Sequence, residues 1–175
     1  MFRIGTLIVF AALAAAGCAT SGAVGHPVPR PFPTPSSSAP ARPEAAPAPT
    51  GPAAAYAITG TALSLRGVPY RNGGGDPASG FDCSGFVWYV FSQHGIGVPR
   101  TVVEQFQIGT RVDAGPLDPG DLVFFDTKGG GATHVGILIG GDEFVHAPSS
   151  SSGVRVERLG SPYWAARYVG ARRVL

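Results

Sequence analysis

Residues 81–91 read FDCSGFVWYVF. An aspartate followed by small residues and then an apolar run is a helix-start signal, with Asp82 as cap and Cys83 in the first turn. Phe86, Val87, Val90 and Phe91 then fall on one face at helical spacing, and Gly95 ends the run. Upstream, Ala54 to Arg66 carries apolar residues at 54, 55, 58, 62 and 65, which predicts an earlier helix closed by Gly67, Val68 and Pro69. Between the two lies a loop, YRNGGGDPASGF over 70–81. Its glycines lack the Lys-Ser/Thr pair of a phosphate loop and fit a close backbone approach beside a site better. Downstream, Thr101 and Glu104 have the spacing of a capping box, which predicts a short third helix.

After Asp118-Pro119-Gly120 the pattern changes to strands, expected over 122–126, 134–139, 143–147, 154–158 and 168–174. Helices followed by a run of antiparallel strands define an α+β domain with a sheet of about five strands.

A cysteine in the first turn of a helix meets unpaired N–H groups and a partial positive charge, which favour the thiolate and can stabilise an oxyanion. A small buried core cysteine is the plain structural alternative for Cys83. The histidines tilt the balance. Gly140-Gly141 reads as a hairpin turn, and a turn centred near 140 pairs His134 with His146 across two strands. A shift of the centre by one residue moves the partner by two along the strand and keeps the imidazoles near. A base and a group to orient it are then in one place.

The chain's two ends differ in composition. Residues 1–18, MFRIGTLIVFAALAAAGC, have a basic start at Arg3 and an apolar run too short to span a bilayer comfortably. The segment resembles a bacterial lipoprotein signal over 1–17, although Ala15 replaces the usual branched apolar residue. That resemblance implies that Cys18 is acylated and becomes the first mature residue; ordinary cleavage leaving a free Cys18 is the alternative. Multiple acyl chains would make a stable anchor. Ala19 is not the aspartate associated with inner-membrane retention in such lipoproteins, so the resemblance implies the periplasmic face of the outer membrane where the cell has one. Residues 18–53 form a Pro/Ala-rich stretch that holds ten of the chain's 17 prolines and offers almost nothing for a core. As polyproline II, a stiff tether of this length would reach on the order of 100 Å. The folded domain is expected over 54–175.

The net charge of +2 gives no case for a nucleic-acid surface, and 14% charged residues argue against a charge-driven disordered protein. With only two cysteines in such different contexts, a Cys18–Cys83 disulfide is not expected.

Seven blocks in order, GVPYRNGG (67–74), FDCSGFVWYVF (81–91), VPRTVVEQ (98–105), PGDLVFF (119–125), THVGILIG (133–140), EFVHAPSSSSGV (143–154) and YWAARYVGARRVL (163–175), carry a resemblance over 56–175. They resemble the NlpC family of bacterial cell-wall cysteine peptidases, of the lipoprotein murein endopeptidase (Spr/MepS) kind. The resemblance implies a papain-like fold, Cys83 as nucleophile and His134 as base. It implies that His146 orients His134 and favours its charged form, and that Tyr70 helps an oxyanion hole. Asp82 and Ser84 would line the substrate cleft, where an acidic group can meet an amine. The implied substrate is the peptidoglycan stem peptide, cut at the D-Glu to diamino-acid bond or at the D-Ala crosslink. No cofactor or metal is implied, and a monomer is expected.

Three rival readings stand beside this one. Cys83, His134 and His146 are a legitimate three-ligand zinc set. A wall-binding lipoprotein without turnover would keep the fold, and a related thiol acyltransferase or amidase would keep the chemistry. His94 at a helix end, His26 in the tether, and Trp88, Tyr163 and Trp164 read as structural or solvated. Arg100 is divided between cleft and surface, and Arg172 and Arg173 read as protection for a strand edge.

Overall fold

The computed structural model describes residues 51–113, 116–148 and 152–175. The signal segment, Cys18 and the expected tether up to residue 50 lie outside the described residues, while Gly51, Pro52 and Ala53, expected in the tether, begin the first helix. Helix α1 (Gly51–Ser64) opens the described chain, three residues before the expected start at Ala54. A two-stranded ribbon, β1 (Gly75–Asp76) with β2 (Gly80–Phe81), leads into α2 (Cys83–Ser92). Helix α3 (Val102–Gln105) follows, with Thr101 accepting from the Glu104 amide as the capping pattern predicts.

The strands are β3 (Thr110–Val112), β4 (Leu122–Phe125), β5 (His134–Gly140), β6 (Glu143–His146), β7 (Arg155–Arg158) and β8 (Tyr168–Arg173), with helix α4 (Pro162–Ala165) before the last. They form one six-stranded sheet in the order β3-β8-β4-β5-β6-β7, antiparallel at every pairing. The five expected strands are all present. The sixth, β3, is three residues long and partly exposed, which leaves no period-two apolar signal to read.

Alternation along the strands divides the core. Val135, Ile137 and Val145 face α2, whose Phe86, Val87, Val90 and Phe91 are fully buried beside Ile58 and Ala62 of α1. Each such side chain stabilises the fold by roughly 1.5–3 kcal/mol relative to exposure. Val123, Phe125, Leu138, Phe144 and Ala171 form a second cluster on the other face, under Trp164. His94 ties the end of α2 to α1 through Thr61 at 2.8 Å, a structural role as expected.

The C-terminal arginines differ from expectation. Strand β8 is interior, between β3 and β4, so no edge needs guarding there. Arg173 instead pairs with the buried Asp121 at 2.7 Å and with Asp118 at 2.8 Å, and Arg172 lies over the Phe106 ring.

The β5–β6 hairpin pairs Ile137 with Val145 and Leu138 with Phe144, then shifts register at Gly140. The turn is therefore centred one residue later than expected, and His134 and His146 are diagonal neighbours on one face rather than directly opposite. The residue between them is Gly136. A Cβ there would sit 2.6 Å from Phe144 Cδ2, 3.0 Å from the Val145 oxygen and 3.2 Å from His146 Cβ. Gly136→Ala is expected to lower stability by about 1–3 kcal/mol, the usual cost of overpacking, measured by urea denaturation.

Candidate active site

Asp82 builds the site's first half. Its carboxylate accepts the Gly85 amide at 2.6 Å, capping α2, and the Gly73 amide at 3.0 Å. Arg100 grips it in a two-pronged pair, Nη1 to Oδ1 at 2.9 Å and Nη2 to Oδ2 at 2.8 Å. Arg100 also donates to Ser84 Oγ at 3.1 Å and to the Gly74 carbonyl at 2.9 Å. This packing requires glycine at 85, where a Cβ would lie 2.1 Å from the Gly74 oxygen. From below, buried Gln105 donates to the carbonyls of Ser84 and Pro99. Asp82 is thus an anchor already matched to a cation. The amine-meeting role expected of it would have to be shared with Arg100.

Cys83 is a free thiol in the first turn of α2. The backbone amides of Ser84, Val135 and Cys83 itself face the sulfur and favour its anion. Burial and the neighbouring Asp82 charge oppose them and prevail, so the thiol pKa is raised. The helix-start amides favour the thiolate, as the sequence predicts, but burial and the Asp82 charge outweigh them. Tyr70 stands close enough to Cys83 and Asp82 that their charges, together with burial as the largest cause, raise its pKa and keep its hydroxyl protonated.

The second half sits at the start of β5. The Val135 amide that faces the sulfur belongs to the residue after His134, so helix mouth and strand start meet there. His134 Nε2 lies 2.7 Å from His146 Nδ1 in a buried hydrogen bond, with the rings perpendicular. Trp164 stacks on His134 at 5.5 Å and meets His146 edge-on. It encloses the pair with Phe144, whose ring is 5.0 Å from that of His146. Among the described residues no hydrogen bond joins Cys83 to the His134 ring, and His146 Nε2 is buried without a partner.

Burial, reinforced by the charge of Lys128, pushes the His134 pKa down to about 4. Burial also lowers that of His146, with His134 and Arg155 adding to it. The resemblance implies that His146 favours a charged His134; in the resting site desolvation wins and both rings are neutral. His134 Nε2–H donating to His146 Nδ1 is the arrangement that leaves Nδ1 of His134 as a base. The same bond occupies His134 Nε2 and His146 Nδ1, so neither of those two nitrogens is free to hold an ion. Among the described residues no three His, Cys, Asp or Glu side chains gather as a metal site.

The sequence brought Cys83, His134, His146, Tyr70, Asp82 and Ser84 to notice; the structure joins His134 to His146, groups Tyr70, Asp82 and Ser84 around Cys83 at the start of α2, and puts the residue after His134 against the sulfur. It missed Trp164 as the wall of the histidine pair and Arg100 as the partner of Asp82. Trp164 belongs to a four-residue helix, too short for a periodic signal. The Asp82–Arg100 pairing spans 18 residues and no local pattern encodes it.

A helix-on-antiparallel-sheet α+β domain with a cysteine at the helix mouth has known counterparts. Residues 67–173 match the NlpC/P60 family, and the chain belongs to that family. It is 49% identical over 111 residues to the murein DD-endopeptidase MepS/murein LD-carboxypeptidase of Escherichia coli K12, covering 63% of this chain and 57% of that protein. To the murein DD-endopeptidase MepH of the same organism it is 42% identical over 113 residues, 62% of this chain and 42% of that one. The chain thus spans about half the length of these relatives. Among solved structures it is similar to an NlpC/P60 family protein from Bacillus cereus, with a TM-score of 0.67 and 36% identity over 73% of this chain and 42% of that one. The NlpC/p60 domain of the peptidoglycan hydrolase SagA gives 0.59 and 37%, over 68% of this chain and 97% of that domain.

The buried neutral imidazoles link stability to pH. The unfolded chain takes up protons near pH 6.5, whereas folded His134 does so only near 4. Stability is then full above about pH 6.5 and falls as pH drops toward 4, with a slope approaching about 1.4 kcal/mol per pH unit for each histidine. Urea denaturation at pH 7.5, 6 and 5 checks this, and His146→Gln is expected to flatten the slope.

Proposed function

We propose that this chain is a peptidoglycan hydrolase, a murein endopeptidase that cuts stem-peptide or crosslink amides with a Cys83–His134–His146 thiol mechanism. The observation that carries the reading is the juxtaposition at the start of β5. A thiol backed by three amides lies against the residue next to a base whose other nitrogen is held at 2.7 Å by a second imidazole. The family's relatives named for murein endopeptidase activity support the choice of substrate.

In this mechanism the Cys83 proton passes to His134 Nδ1 as the sulfur–carbon bond forms. The backbone amide of Cys83 and the Tyr70 hydroxyl face the oxyanion. The C–N bond then breaks, Nδ1 returns the proton to the leaving amine, and a thioester remains. Water adds with loss of a proton to Nδ1, the C–S bond breaks, and the thiolate recovers that proton. His146 accepts from Nε2–H throughout, so the transient imidazolium keeps its hydrogen bond. The resting neutral pair means that charge appears only during reaction, inside a dry site where fixed dipoles act strongly.

The same proposal anchors the protein by acylated Cys18 at the periplasmic face of the outer membrane, with the Pro/Ala-rich stretch before α1 as the tether and the catalytic unit acting as a monomer. The signal-like segment of residues 1–18 supports the anchor. No helix of the described residues is long and apolar enough to cross a membrane.

Purified murein is expected to release new muropeptides, seen by mass spectrometry, with wild type and none with Cys83→Ala. Iodoacetamide should abolish the activity and a chelator should leave it; the reverse pattern would favour a metal hydrolase, and no fragments with either protein would favour a scaffold. In cells, Cys18→Ala is expected to leave the membrane fraction, and a variant that still sediments with membranes would sink the anchor.

A further inference from the structure

Lysine occurs once in the 175 residues, at position 128; the other basic side chains are arginines. Its loop, between β4 and β5, is constructed rather than slack. The Asp126 carboxylate accepts the amides of Lys128 at 3.2 Å, Gly129 at 2.6 Å and Gly131 at 3.1 Å, and the Thr127 amide donates to Thr133 Oγ1 at 2.8 Å. This fixes the backbone of Lys128 at the rim of a cavity of ≈ 360 Å³ that His134, Trp164, Tyr163, Arg155 and Glu157 also line.

The charges in that cavity do not cancel. Arg155 Nε and Glu157 Oε1 are paired at 2.8 Å, and Arg155 also holds Ser152. The Lys128 ammonium has no hydrogen-bond or ion-pair partner among the described residues. With both imidazoles neutral, the residues lining the cavity carry one net positive charge, the nearby Asp126 carboxylate being turned into the amides of its own loop. Its field reaches the base, since Lys128 is one of the two causes that lower the His134 pKa.

Reaction geometry says which half of a substrate belongs there. The acyl half is held by the sulfur and the amides at the α2 mouth. The amine half receives its proton from His134, so whatever that nitrogen carries must lie on the imidazole's side, where this cavity is. Resting on the endopeptidase reading above, we infer that the cavity receives the amine half of the cleaved amide, with Lys128 binding a free carboxylate on the carbon that bears the leaving nitrogen. That chemistry separates the two candidate bonds. In a crosslink to a diamino dicarboxylic acid of the diaminopimelate type, the acylated side-chain nitrogen sits on a carbon with a free carboxylate. In the D-Glu to diamino-acid bond, the corresponding carboxyl is itself tied up in the next amide. Lys128 thus selects crosslinks, and selects against those whose carboxyl has been amidated.

The test uses the full chain and two synthetic crosslinked stem dimers, identical except that this carboxyl is free in one and a carboxamide in the other. Wild type is expected to prefer the free acid by about tenfold in kcat/KM, the scale of one charge-assisted hydrogen bond. Lys128→Gln should collapse that preference through loss of rate on the acid, and Lys128→Arg should retain most of it. Circular dichroism confirms that the variants fold. Equal wild-type rates on the two dimers would overturn the inference and leave the endopeptidase reading standing. So would a preference that survives Lys128→Gln. If wild type cleaves neither dimer and releases nothing from murein, the underlying reading falls and the inference with it.

Discussion

One carboxylate organises the site. Asp82 caps α2, holds the glycine loop at Gly73 and clamps Arg100, and each of these bonds fixes a different wall around Cys83. Arg100 in turn holds the Gly74 carbonyl and the Ser84 hydroxyl. The helix start, the loop before it and the segment after it are thereby made one rigid body. The sulfur's position relative to β5 follows from that body docking on the sheet through Phe86, Val87, Val90 and Phe91. Removing the carboxylate would leave a guanidinium and two amides without their acceptor at once, which is why the residue before the cysteine matters as much for geometry as for charge.

The electrostatics are those of a dry site. Unpaired amides at the helix mouth and a nearby base both favour loss of the sulfur's proton. Here burial raises the thiol and lowers both imidazoles, so the uncharged pair is the resting form. Trp164 contributes directly, because its indole covers the two rings and excludes solvent from them. The polar groups that face the sulfur are backbone dipoles fixed by the fold. They need not reorganise when charge develops.

Much of this was legible in the amino-acid order. The α2 apolar face, the Asp82 cap, the Thr101 capping box and five strands rest on local periodicity and turn chemistry, which short windows encode. The convergence of His134 and His146 was legible because a hairpin is local: its turn residues nearly set the register. What escaped depends on distance or brevity. Strand β3 and the β1–β2 ribbon are too short to carry a pattern. Arg100 and Trp164 reach the site only through tertiary packing. The balance that sets the protonation states is hidden for a related reason. A helix dipole can be read from position, whereas desolvation depends on what covers the group, and the covering residues come from elsewhere in the chain.

The irregular step at Gly140 in the β5–β6 hairpin has a further implication for how this segment can vary. Side chains alternate between the two sheet faces, so adding or deleting a single residue in that tight turn would swing His146 into the aliphatic layer under α2 and present Val145 to the other imidazole. A second change of the same sign would bring the parity back, at the expense of sliding the ring one pleat along its neighbour. Length variation tolerated at this bend should therefore come in pairs, or be absorbed by a new bulge.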